Sequence, residues 1–291
     1  IDLQLYREAV DQFVQRLSDQ IGFLYRTTCQ ECGSTEAYAK YFLWVKTNRC
    51  PNCGKSFDLF PGYLLAKNQR HPKYVLVCAN CGELNEVDHL SSLGSCWACG
   101  RSLRLQGCAR RNQAKCPHCG TISRYPNPEA GPPRHRMFAI EYYCPTCKPT
   151  HSGRFFKRPD SEDLARYDKA SQCLSKLQPR FIPNEEIQPG DETKRLLRWG
   201  YRRYREMFND RQLLGLELSA RAISEIPNER IRRALITNLS DLLRYQNMLC
   251  RYDTMALKSL DIFSIHGFPV SLIQCESNMM GIVGTDGALV G

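Results

Sequence analysis

The chain has 291 residues, 42% of them apolar, so it is long enough for two or three ordinary cores. No apolar run is long enough for a membrane helix and no secretion signal opens it, so no membrane partner is expected and the cytoplasm is the expected location. The formal charge of +10 directs attention to polyanionic partners. Ile1 in place of Met, and a closing "GIVGTDGALVG" without an evident cap, suggest a processed chain or an internal piece of a longer one.

Residues 1–25 read as an amphipathic helix, with Leu3, Tyr6, Val10, Phe13, Val14, Leu17 and Ile21 at helical spacing and Gly22 as the stop. A stripe of this kind needs a core to pack on. From 26 to 160 the pattern changes to short strand-like runs, "YFLWVK", "YVLVC" and "MFAIEYYC", set between Gly-ended Cys turns. Residues 161–193, rather acidic and broken by Pro179, Pro183 and Pro189, read as a linker. A helical docking region follows at 194–258, with candidate helices in "DETKRLLRWGYRRYREMF", "RQLLGLELSARAISEI" and "NERIRRALITNLSDLLRYQNMLCRY", and a strand and turn tail at 259–291.

Twelve of the sixteen cysteines form Cys-x-x-Cys pairs: Cys29/Cys32, Cys50/Cys53, Cys78/Cys81, Cys96/Cys99, Cys116/Cys119 and Cys144/Cys147. A secreted disulfide framework or a thioredoxin-like redox pair would not repeat this turn six times. Each turn offers two thiolates to one ion, so three four-sulfur zinc sites are expected, with no open position for catalysis. Loop closure favours neighbouring turns, which predicts three tandem self-contained ribbons: 29/32 with 50/53, 78/81 with 96/99, and 116/119 with 144/147. The intervening segments of 17, 14 and 24 residues each have room for a hairpin. His71, His118, His135 and His151 are expected to stay outside the ligand sets, and Cys108, Cys173, Cys250 and Cys275 to act as small buried hydrophobes.

Three zinc sites of four thiolates each would carry −6 in total, lowering the formal charge to about +4. The distribution is still uneven. Residues 26–160 hold twenty Lys and Arg against nine acids, and 194–205 hold six cations and no acid. Phosphate contact is therefore expected at Arg110, Arg111, Lys115, Arg124, Arg134 and Arg136, and at Lys194, Arg195, Arg198, Arg202, Arg203 and Arg205. Tyr125, Phe155 and Phe156 are candidate base-stacking residues, whereas Phe42, Trp44, Trp97, Tyr142 and Tyr143 are expected to fill the small cores. No P-loop, nucleophile elbow or zincin motif is present, so no catalytic residue is assigned.

Several strings taken together resemble the zinc-ribbon-containing, adenine-specific DNA methyltransferases. They are "IGFLYRTTCQECG" followed by "YFLWVKTNRCPNCG", then "MFNDRQLLGLELSARAI" with Phe208, Arg211, Gln212 and Leu213, and finally "LLRYQNMLCRYD" and "FSIHGFPVSLIQCESNMMG" with Phe263, Pro269, Glu276 and Asn278. The resemblance implies zinc β-ribbons plus α-helices inserted in or docked on a doubly wound α/β methyltransferase domain. It also implies S-adenosylmethionine (SAM) as cofactor of the full assembly, DNA as a partner, and a setting of DNA modification and phage defence alongside other defence-system proteins. The family's Asp/Asn-Pro-Pro-Tyr/Phe motif and glycine-rich cofactor loop are absent from these 291 residues, so methyl transfer would need a further domain or subunit. The competing expectation is a non-enzymatic zinc adaptor for protein–protein, RNA or transcription complexes.

Overall fold

A computed structural model of the chain describes residues 2–151 and 154–282. Its helices are α1 (Leu3–Ile21), α2 (Ser161–Lys176), α3 (Lys194–Arg198), α4 (Asp210–Ser224) and α5 (Glu229–Leu242). Its strands are β1 (Arg26–Thr27), β2 (Ala37–Arg49), β3 (Ser56–Asp58), β4 (Leu64–Ala66), β5 (Tyr74–Val77), β6 (Leu84–Val87), β7 (Ala109–Arg110), β8 (Gln113–Lys115), β9 (Ile122–Arg124), β10 (His135–Tyr143), β11 (Phe155–Lys157), β12 (Arg251–Asp253), β13 (Lys258–Leu260) and β14 (Ile273–Ser277).

The 13-residue β2 organises the molecule. One edge pairs antiparallel with β10, in a register that sets Tyr38 opposite Tyr143 and Lys46 opposite His135. The other edge takes β1, β14 and β3 in turn. Because β2 is covered on both faces, its apolar run does not alternate with polar residues. Phe42 and Trp44 join α1, α2, α4 and α5 in one core, while Tyr41, Leu43 and Val45 pack with Phe60, Tyr63, Val75 and Val77 in another. Each large apolar side chain so buried contributes roughly 1.5–3 kcal/mol.

The helices begin where short polar side chains can satisfy their first N–H groups. Asp2 accepts from Gln4 and Leu5 in α1, and Asn209 forms a capping box with Gln212 in α4. Asp160 and Asp163 cap α2, which occupies the segment expected to be a linker; its acidity is the signature of a helix start. Between 191 and 208 the expected long helix shrinks to the five residues of α3. Gly200 turns the chain with φ +85° and packs so closely on Gly131 that a Cβ would lie 2.1 Å from the Gly131 carbonyl oxygen. The third expected helix ends at Leu242 rather than continuing to Tyr252. The closing glycine-rich string lies outside the described residues from position 283 onward.

Candidate metal centres and a basic sheet

The six Cys turns meet in three groups, and the pairing is nested rather than tandem. Cys29 and Cys32 join Cys144 and Cys147, Cys50 and Cys53 join Cys116 and Cys119, and Cys78 and Cys81 join Cys96 and Cys99. Only the innermost group pairs as loop entropy alone predicts. The antiparallel β2–β10 pair explains the other two: one Cys turn precedes β2 and another follows β10, so they meet at one end, while the turns after β2 and before β10 meet at the other. At about 3.3 Å per residue, β2 holds these two groups roughly 40 Å apart.

Five of the turns share one backbone geometry. In the first, the N–H of Cys29 donates to Ser34 O at 2.8 Å and that of Gly33 to Cys29 O at 3.0 Å, and the pattern recurs after Cys50, Cys78, Cys96 and Cys116. Gly33, Gly54, Gly82, Gly100 and Gly120 all have φ between 69° and 77°, a region where Cβ is disfavoured. The sixth turn, from Cys144, has Lys148 in the glycine position, with its N–H on Cys144 O at 2.9 Å.

Within each group the Sγ atoms lie within 4.8 Å of one another, and none forms a disulfide. The closest Sγ pairs are 3.8 Å for Cys29–Cys147 and Cys32–Cys144, 3.5 Å for Cys50–Cys119, 3.8 Å for Cys53–Cys116, and 3.7 Å for Cys78–Cys99 and Cys81–Cys96. A tetrahedron with Zn–S bonds of about 2.3 Å has edges of about 3.8 Å, so each group could hold one zinc ion. The thiols respond unequally to their crowding. The hydroxyl and backbone of Thr121 lower Cys119 to about 6. At Cys53 the N–H of Lys55 pulls the other way but is outweighed by burial and by hydrogen bonds with Cys119, Cys50 and Cys116, leaving it at about 11. Four thiols in so small a space cannot all ionise alone; a divalent cation at the centre removes that conflict.

The ligand sets are all cysteine. His118 lies 3.4 Å from Ser56 O, His71 2.9 Å from Lys73 O, His135 3.2 Å from Lys46 Nζ, and His151 stacks on Phe155. Cys250 and Cys275 are buried, while Cys108 and Cys173 are half-buried.

The twelve candidate phosphate contacts fall into two populations. Arg110, Arg111, Lys115, Arg124 and Arg134 are exposed, and no acid pairs with them among the described residues. The first four sit on or at the turn of the small β7–β8–β9 sheet beside the Cys50/Cys53/Cys116/Cys119 group. Arg134 lies nearby, its O accepting from the Thr47 N–H next to Asn48, whose Nδ2 donates to Ser123 Oγ on β9. Arg136, by contrast, is clamped by Asp58 through Nε at 3.0 and 3.1 Å. In the 194–205 stretch most side chains have partners within the chain. Lys194 pairs with Asp191, Arg195 donates to Phe268 O, Arg202 to Leu197 O and Tyr201 O, and Arg203 to Asn184 O with Glu186 beside it. Arg198 is exposed and Arg205 half-buried.

The aromatic expectations partly exchange places. Trp97 is 74% exposed, held by its Nε1 on Leu84 O at 2.8 Å, instead of filling a core. Tyr125 and Phe155, expected as stacking surfaces, are buried. Two side chains on the β7–β8–β9 sheet, Gln113 and the 64% exposed Ile122, were missed by a search for charge; the alternation in "ARRNQAK" and "TISR" is the signal that carries them.

Three of the residues behind the methyltransferase resemblance, Arg211, Glu276 and Asn278, meet the central strand inside the protein. The Arg211 Nε and Nη2 atoms donate to the two oxygens of Glu276 at 2.6 and 2.8 Å, both side chains fully buried, and Arg211 lies 3.5 Å over the Phe42 ring. Trp44 and Asn209 also donate to Glu276, each at 2.8 Å. Asn278 bonds Lys40 O and Ala39 O. This network fastens α4 and β14 to β2. Phe263 stands apart, 74% exposed.

Comparison with family models, curated proteins and solved structures finds no match for this chain. Among the described residues no helix is long and apolar enough to cross a membrane.

Proposed function

We propose that the chain is a DNA-binding region built on three structural zinc ions, serving an adenine-specific DNA methyltransferase whose catalytic domain or subunit supplies methyl transfer. The observation that carries DNA binding is the group of exposed cations on and beside the β7–β8–β9 sheet, which have no acidic partner among the described residues. Phosphate oxygens reward such a group through counterion release. The metals act by holding shape, since each four-sulfur set leaves no position for water or substrate.

The methyltransferase context rests on the sequence resemblance; Arg211, Glu276 and Asn278, which carry part of it, hold α4 and β14 on β2. With neither the cofactor loop nor the Asp/Asn-Pro-Pro-Tyr/Phe motif in the sequence, no residue here is assigned to SAM, and methyl transfer is assigned to the catalytic domain or subunit. DNA modification in phage defence is the setting the resemblance suggests. A groove of about 300 Å³ between Phe181–Pro183 and the apolar sides of α4 and α5 suits docking on the catalytic body.

The test is binding of duplex DNA by the zinc-loaded chain across a salt series. Reversing Arg110, Arg111 and Arg124 to Glu should weaken binding at least about tenfold and reduce the salt slope by at least about one. Unchanged affinity and slope would remove DNA binding from this surface.

A further inference from the structure

The β7–β8–β9 sheet has two chemically distinct faces. Ala109, Ala114 and Ser123 stand opposite one another and face inward, the two alanines packing with Phe57, Leu59 and Tyr125 around the Cys50 and Cys116 sulfurs. The outward face consists of Arg110, Gln113 and Arg124 in one cross-strand row, with Lys115 opposite Ile122 in the next. All five are exposed.

A surface built for phosphate alone needs neither a glutamine between two arginines nor an apolar side chain left in water. Together they match the edges of base pairs: Arg bonds the O6 and N7 of guanine, Gln the N6 and N7 of adenine, and an apolar side chain packs on the thymine methyl. The dimensions agree. The outward side chains of three strands about 4.8 Å apart form a row roughly 10 Å long, comparable to the roughly 12 Å width of the major groove of B-form DNA that they would enter. The deep, narrow major groove of A-form RNA would not admit them.

The hairpin apex points the same way. Arg111 and Asn112 form a two-residue loop, both with positive φ, 49° and 63°. Such loops favour Asn and Gly, so an arginine held there is a local cost that a functional contact at the tip would explain.

We propose that this outward face lies in the major groove and reads sequence, with Arg110, Gln113 and Arg124 bonding base edges, Ile122 packing on a thymine methyl, and Arg111 and Arg134 gripping the flanking phosphates. The inference rests on the DNA-binding function proposed above and adds selectivity to it.

The experiment is selection of the zinc-loaded full chain against a pool of randomised duplexes, followed by anisotropy titration of the enriched and a scrambled duplex. Wild type should prefer the enriched sequence. Gln113→Ala combined with Ile122→Ala should retain three zincs and the salt slope yet lose roughly ten- to a hundredfold of that preference. Arg134→Gln should weaken both duplexes alike and lower the slope by about one. Binding with a normal salt slope but no enriched sequence would overturn base reading and leave DNA binding intact. Equal competition by duplex RNA would overturn the major-groove placement, and no binding to any duplex would overturn both.

Discussion

The outermost and innermost cysteine groups use the same cysteine turn in opposite circumstances. Cys81 and Cys96 are 15 residues apart and close a short ribbon with its own small core of Leu76, Val87 and Leu103. Cys32 and Cys144 are 112 residues apart, and Cys29 and Cys144 belong to the main helix-and-sheet core. Closing the longer loop directly from the open chain costs roughly 2 kcal/mol more. The central strands offset this, and inner closures shorten the remaining loop before the outer group forms. Thus the inner site organises a local ribbon, and the outer one ties the ends of β2 and β10 into the body.

The sharpest break of this comparison is one ligand from each group. Cys144→Ser should lower global stability by more than about 4 kcal/mol, whereas Cys96→Ser should leave two zincs bound and the helical core folded. Zinc content and far-ultraviolet circular dichroism during thermal unfolding separate the two outcomes; equal losses would contradict the division. Next in size is Glu276→Gln, which strands the buried Arg211 and should cost about 3–5 kcal/mol in urea titration while leaving the environment of Trp97, on the inner ribbon, unaltered.

The smallest effect is a gain. Lys46 is buried on β2 beside His135, with no carboxylate partner among the described residues. Burial lowers the pKa of Lys46, and burial together with Lys46 lowers that of His135. For each base the unfolded chain binds protons more readily. The penalty is absent above the unfolded lysine value of about 10.4, grows as pH falls below it, levels off once the pH is under the folded value, and increases again for His135 below about 6.5. Lys46→Met should therefore stabilise by about 1 kcal/mol or more near neutrality, with a larger gain at pH 6 than at pH 9. Thermal midpoints at the two values check the sign.

Much of this was legible in the sequence for physical reasons. Six Cys-x-x-Cys turns name their own ligands, and "YFLWVK" and "MFAIEYYC" have the composition of the paired strands they become. The helix signals at Asp210–Ser224 and at Leu3–Ile21 are local, and so they survive folding. The nesting was not legible because it depends on β2 pairing with a strand some ninety residues away, a register no local pattern records. The same limit applies to charge. Arg136 and Arg203 look free in the sequence and are occupied once Asp58 and Glu186 arrive beside them, while Arg110 and Arg124 stay open.

The inner ribbon enters and leaves the fold at one doorway. Gly107 donates to Pro61 O at 3.3 Å, and Gly62 and Gln106 bridge beside them. Everything between is an excursion whose two ends already touch, so a descendant could lengthen or shorten its tip around Cys81 and Cys96 without asking the outer pairs to move, provided Tyr63, Val75 and Val77 stay to cover β2. Such a chain would diversify by changing its inmost ribbon while the clasp around it stays the same.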